Sequence, residues 1–102
     1  MEQVLIKGIC DGKLTFALSG DIDAGNADEF YDVIAAEYGK TPADLYFDCA
    51  ELAFIDSTTL GTFVKILKKV KADGRVMTLG ALQPKIKKLF LICALDKIME
   101  IA

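Results

Sequence analysis

The sequence predicts an α/β domain built on a mixed β-sheet of about five strands with three main helices. Two observations carry this expectation. Short apolar runs alternate along the chain with longer segments whose apolar residues recur at helical spacing. The first two runs are joined by a tight turn, whereas later strands follow helices, so an antiparallel hairpin should lead into parallel strands connected by right-handed crossovers.

The first run spans Val4 to Cys10 and the second Leu14 to Ser19, with Asp11-Gly12 between them. Asp-Gly is a strong hairpin signal because glycine accepts positive φ without a Cβ clash. Leu14, Phe16 and Leu18 alternate with Thr15, Ala17 and Ser19, the period of a half-buried strand. After Gly20-Asp21-Ile22-Asp23, Asn26 is placed to cap a helix, with Asp28 and Glu29 in its first turn favouring the positive end of the dipole. Ala27, Phe30, Val33 and Ile34 share one face of that helix, and Gly39 is expected to end it.

Asp44 to Cys49 reads as a third strand, followed by a loop through Glu51 and the apolar stretch Leu52 to Ile55. Leu60, Phe63, Val64, Leu67 and Val70 then recur at helical spacing and should pack on the sheet, opposite Lys65, Lys68, Lys69 and Lys71. Asp73-Gly74 stops this helix, and Arg75 to Leu79 reads as the fourth strand. Pro84 suits a first helical position, and Ile86, Leu89, Phe90 and Cys93 line the inner face of the third helix. Lys97 to Ile101 is expected to be the last strand. The helices should therefore cover residues near 25–38, 57–72 and 84–93.

A chain of 102 residues, 53% hydrophobic with two prolines, fits one folded domain over residues 1–102. No apolar run is long enough to span a bilayer, and the N-terminus lacks the basic flank and apolar stretch of a signal peptide. A cytoplasmic protein is expected, with no membrane partner. The net charge of −3 argues against direct nucleic-acid binding, for which a basic footprint is needed. The lysine clusters at 65–71 and 85–88 read as the solvated backs of two helices, or as a basic docking face for an acidic partner.

There is no histidine, which removes the usual catalytic triads, and the cysteines Cys10, Cys49 and Cys93 are too dispersed for a zinc site. Cys49 and Cys93 should pack as small hydrophobes in a reducing compartment. The carboxylates of Asp21 and Asp23, and of Asp28 and Glu29, lie beside a helix start and are better explained as caps than as acid–base pairs. No phosphate-binding glycine loop is present. Neither a catalytic residue, a cofactor nor a metal is expected, and the chain is not read as an enzyme.

The informative segment is Phe54-Ile55-Asp56-Ser57-Thr58-Thr59-Leu60-Gly61. It delivers three hydroxyls to the first turn of a helix, where free amides and the dipole stabilise an anion. A phosphate on Ser57 would bring about −1.5 to −2 charge and three acceptor oxygens to that turn, stabilised by the dipole and repelled by Asp56. From residue types alone, Asp56 or Ser57 as a simple N-cap is the favoured explanation of the segment.

Four stretches in register resemble the STAS domain, the family of bacterial anti-sigma factor antagonists. Gly20-Asp21-Ile22-Asp23 is similar to its G-[ED]-[LI]-D element, and Asp44-Leu45-Tyr46-Phe47-Asp48 to its central strand. Residues 54–61 match the signature F-[IM]-D-S-[SA]-G-L-G in six of eight places. Gln83 to Phe90, followed by Ala94 to Ile98, is similar to the S-P-x-[VI]-x-[RK]-L-[FL]…G-L-x-x-[IL] tail. Thr58, Thr59 and Ala94 depart from the pattern, the latter two where the family has glycine.

The resemblance implies a single-domain STAS-like fold and an anti-sigma factor antagonist that works by partner switching. Ser57 stands at the phosphoacceptor position. The unphosphorylated form would bind an anti-sigma factor that is also a serine kinase, and a PP2C-type phosphatase would remove the phosphate. Asp21, Asp23, Asp56, Ser57, Thr58 and Thr59 would form the docking surface. The alternative is a STAS-type scaffold or ligand-binding module in a signalling assembly, without a phosphorylation cycle.

Overall fold

The computed structural model describes residues 1–102. Strands β1 (Val4–Cys10) and β2 (Lys13–Ile22) form the hairpin; then come helix α1 (Ala27–Lys40), β3 (Asp44–Ile55), α2 (Ser57–Lys71), β4 (Met77–Gly80), α3 (Pro84–Ile92) and β5 (Glu100–Ile101). The five strands lie in the order β1-β2-β3-β4-β5, the first pair antiparallel and the rest parallel. Asp11 (φ 52°) and Gly12 (φ 79°) both take positive φ in the connecting turn, the geometry that matches the twist of two paired strands.

Alternation sorts the sheet into two faces. Leu14, Phe16 and Leu18 of β2, Leu45 and Phe47 of β3, and Met77 and Leu79 of β4 are buried and point to one side. The three helices bring Phe30, Phe63 and Phe90 onto that side. Phe63 packs edge-on against Phe30 (5.3 Å between centroids), Phe47 (5.6 Å) and Phe90 (5.6 Å), while Phe16 stacks on Phe47 at 5.5 Å. One aromatic column thus ties all three helices to the two central strands. The opposite face carries the register row Thr15, Tyr46, Thr78 and Glu100. There the Tyr46 ring lies over Gly80, where a Cβ would stand 1.8 Å from the phenolic oxygen.

Several expectations are corrected. The loop through Glu51 does not exist: β3 runs unbroken to Ile55, and two register shifts, between Ala17/Asp48 and Ser19/Glu51 and between Gly20/Leu52 and Asp21/Phe54, each absorb one extra residue as a bulge. Gly39 lies inside α1, which ends one residue later at Lys40. In α2 the buried side chains are Thr59, Phe63, Ile66, Leu67 and Val70, while Leu60 and Val64 are half-buried; the contact face is rotated from the expected one. Cys49 is buried, which pushes its thiol pKa up to about 12, but Cys93 is exposed at the end of α3.

Of the expected strand Lys97–Ile101 only Glu100 and Ile101 are extended, as β5; Lys97 closes a 3₁₀ turn, Leu95–Lys97, and Leu95 and Met99 are buried. Ala94 enters this turn in the left-handed conformation, φ 56°. An L-residue there is strained by about 1–2 kcal/mol. Ala94→Gly is therefore expected to raise stability by about 1 kcal/mol, read as a shift of the urea midpoint; a lower midpoint would mean that the turn does not hold this conformation.

Candidate functional site

The C-terminal ends of β2 and β3 each run directly into the approach to a helix, so the β2–α1 loop and the start of α2 meet at one end of the sheet. Asp56 joins them. Its Oδ1 accepts the backbone N–H of Thr59 (3.0 Å), capping α2, and lies 3.1 Å from the Thr59 hydroxyl, whose single proton it shares with the closer Ile22 carbonyl. Its Oδ2 accepts the N–H of Ala24, 32 residues earlier, at 2.9 Å. The Thr59 amide, together with those of Ala24 and Thr58, holds the Asp56 carboxyl below the usual carboxylate range against the opposing effect of desolvation. Because the folded pKa is depressed, the stability this tie supplies is complete above the ordinary carboxylate pKa. It is lost as pH falls through the folded value.

The β2–α1 loop is braced from within. Asn26, expected as a helix cap, makes no capping bond; its Oδ1 accepts from the Asp23 N–H (2.9 Å) and its Nδ2 donates to the Asp21 carbonyl (3.0 Å). Asp23 Oδ1 accepts the Gly25 N–H at 2.9 Å. Asp21 is exposed, and its side chain makes no hydrogen bond or ion pair.

The site residues read from the sequence therefore divide by geometry. Ser57 and Thr58 are exposed in the first turn of α2, with Asp21 on the neighbouring loop. Asp56 and Asp23 are half-buried, and their carboxylates are engaged in holding the backbone. Thr59 contradicts the expectation that it meets a partner: it is 0% exposed, and its hydroxyl donates to the Ile22 carbonyl at the end of β2. The side chain that replaces a family glycine turns inward and ties α2 to β2. Asn26 and Thr59 as internal ties were missed, since neither bond partner lies at a periodic spacing from its donor.

Thr59→Val keeps the shape but removes the donor to a buried carbonyl, and should lower stability by about 1–3 kcal/mol in urea unfolding. An unchanged midpoint would mean that the hydroxyl bond contributes nothing.

No three histidine, cysteine, aspartate or glutamate side chains converge as a metal site, and no helix is long and apolar enough to cross a membrane. The fold and this end of the sheet define an α/β domain that presents an exposed serine at a helix start. The chain belongs to the STAS domain family, whose model matches residues 4–102. It is 31% identical over 84 residues to the anti-sigma-B factor antagonist of Listeria monocytogenes, covering 82% of this chain and 74% of that protein. It is 33% identical over 87 residues to the anti-sigma-B factor antagonist of Bacillus subtilis, covering 83% and 77%.

Among solved structures, an anti-sigma factor antagonist from Mycobacterium paratuberculosis superposes with a TM-score of 0.84 at 22% identity, covering 96% of this chain and 82% of that one. The unphosphorylated form of the anti-sigma factor antagonist SpoIIAA gives 0.75 at 14% identity, covering 97% and 86%. At such identities these two matches establish the fold.

Proposed function

We propose that this chain is a cytoplasmic anti-sigma factor antagonist that acts by partner switching. Unphosphorylated, it binds an anti-sigma factor that is also a serine kinase; phosphate on Ser57 weakens that complex, and a PP2C-type phosphatase restores the binding form. The observation that carries this reading is Ser57 itself, exposed at the first position of α2 beside the braced β2–α1 loop. A kinase can reach an exposed hydroxyl there without unfolding the domain, and the helix N-terminus stabilises the added charge. Asp21, Ser57 and Thr58 would meet the partner, while Asp23, Asp56 and Thr59 hold the backbone that presents them. The curated relatives named above as antagonists support the same role.

The test is intact-mass analysis after incubation with ATP and each purified anti-sigma factor kinase encoded in the same genome. One phosphate added to wild type and none to Ser57→Ala is expected. No modification by any of them, with binding retained, would replace the switch by the scaffold reading.

A further inference from the structure

Six phenylalanines are present, and five of them (Phe16, Phe30, Phe47, Phe63 and Phe90) are 0% exposed. Phe54 is the exception, 46% exposed although it lies within a strand. It borders a cleft of about 220 Å³ formed with Ile55 at the end of β3 and Lys85, Ile86 and Leu89 of α3. Ser57 follows Phe54 by three positions, so their Cα atoms lie within about 11 Å of each other. Ile55 and Ile86 are buried in the core and Leu89 packs against it, so Phe54 is the apolar side chain that the cleft leaves at the surface. Large apolar groups left at the surface in a contiguous patch mark interaction sites.

The rim has a definite charge. The two ion pairs of the chain engage Lys40 and Lys97, so Lys85 has no carboxylate partner. Asp21, the cross-strand register partner of Phe54, also has an unpaired carboxylate. Phe54 thus has an unpaired acid beside it on β2 and shares its cleft with an unpaired cation.

We infer that the cleft lined by Phe54, Ile86 and Leu89 receives one apolar side chain of the protein that reads Ser57, presented on a segment with a carboxylate placed to meet Lys85. This inference rests on the partner-switching reading and specifies the chemistry of the partner. An apolar anchor in a pocket ringed by polar groups is how a small contact supplies most of its binding energy. Phosphate on Ser57 then stands at the edge of that anchor, where its hydration opposes the exclusion of water from the contact.

Calorimetry with the kinase that modifies Ser57 tests it, using Phe54→Ala, Lys85→Glu, Lys69→Glu and Ser57→Asp. Phe54→Ala is expected to weaken binding at least tenfold, about 1.4 kcal/mol, and Lys85→Glu several-fold. Lys69→Glu, a charge reversal in the last turn of α2, should bind as wild type. Phe54 and Lys85 are exposed, so unchanged thermal midpoints are expected and would show that lost binding is not lost folding. Phe54→Ala and Lys85→Glu binding within twofold of wild type, while Ser57→Asp does not bind, would overturn the cleft and leave the switch standing. If Ser57→Asp also binds as wild type, the switch itself fails. Loss with Phe54→Ala but not with Lys85→Glu would overturn the acidic partner segment. A dimer of this chain that Phe54→Ala dissolves, with kinase binding unchanged, would assign the cleft to a second copy and overturn the inference.

Discussion

Phe63→Ala is expected to lower stability by about 3–5 kcal/mol, from a total that for such a domain is about 5–15 kcal/mol. Phe63 is fully buried and is the ring at which the contacts from α1, β3 and α3 meet. Its removal leaves a cavity among Phe30, Phe47 and Phe90 that cannot collapse without moving three elements at once. Unfolding in urea, followed by far-ultraviolet circular dichroism, would read the loss as a lower midpoint. A change under about 1 kcal/mol, the ordinary effect of a substitution, would mean that the column is not the keystone of the core. Leu67→Ala should act in the same direction by about 2–5 kcal/mol, since Leu67 is also buried on α2.

The other large effect is on binding. Ser57→Asp should weaken the complex with the anti-sigma factor kinase by tenfold or more, about 1.4 kcal/mol or above. A fixed carboxylate at the first position of α2 resists desolvation in an interface and lies next to the carboxylate of Asp56. The thermal midpoint should change little, because Ser57 is exposed and the helix start tolerates negative charge. Ser57→Ala should bind normally and resist modification. Isothermal titration of the three proteins decides the matter: equal affinity for wild type and Ser57→Asp would remove the phospho-switch.

The parts of this fold visible in the sequence are those written in local patterns. The Asp11-Gly12 turn, the alternation of Leu14, Phe16 and Leu18, and the spacing of Phe63, Leu67 and Val70 each depend on residues a few positions apart, and each is found in the structure. What escaped depends on partners far away. The loop expected near Glu51 was read from a polar interruption, but pairing with β2 keeps that segment extended and two bulges absorb the misfit. Lys97 to Ile101 was read as one strand, whereas a 3₁₀ turn at Leu95–Lys97 and the burial of Leu95 and Met99 leave only Glu100 and Ile101 extended.

The candidate site shows the same division. Ser57 at a helix start was legible from the Asp-Ser-Thr-Thr run ahead of a helical pattern. The inward turn of Thr59 was not, because its hydroxyl bonds to Ile22, 37 residues earlier. Phe54 was legible only as part of a motif, since its exposure depends on where α3 lies.

The spatial order of the strands is also their order along the chain, so each new strand pairs with the one that preceded it. During synthesis the β1–β2 hairpin emerges first and needs only a two-residue loop to close. β3 and then β4 add to an edge that already exists, each carried there by the helix just made. No strand has to be inserted between two others. Only the hairpin closes locally; the parallel pairings, such as Lys13 with Asp44 and Leu45 with Met77, close across a whole helix and carry the larger loop entropy, so they are the slower steps. The growing edge is covered in sequence as the chain leaves the ribosome, which limits the time during which an unpaired strand is open to another molecule.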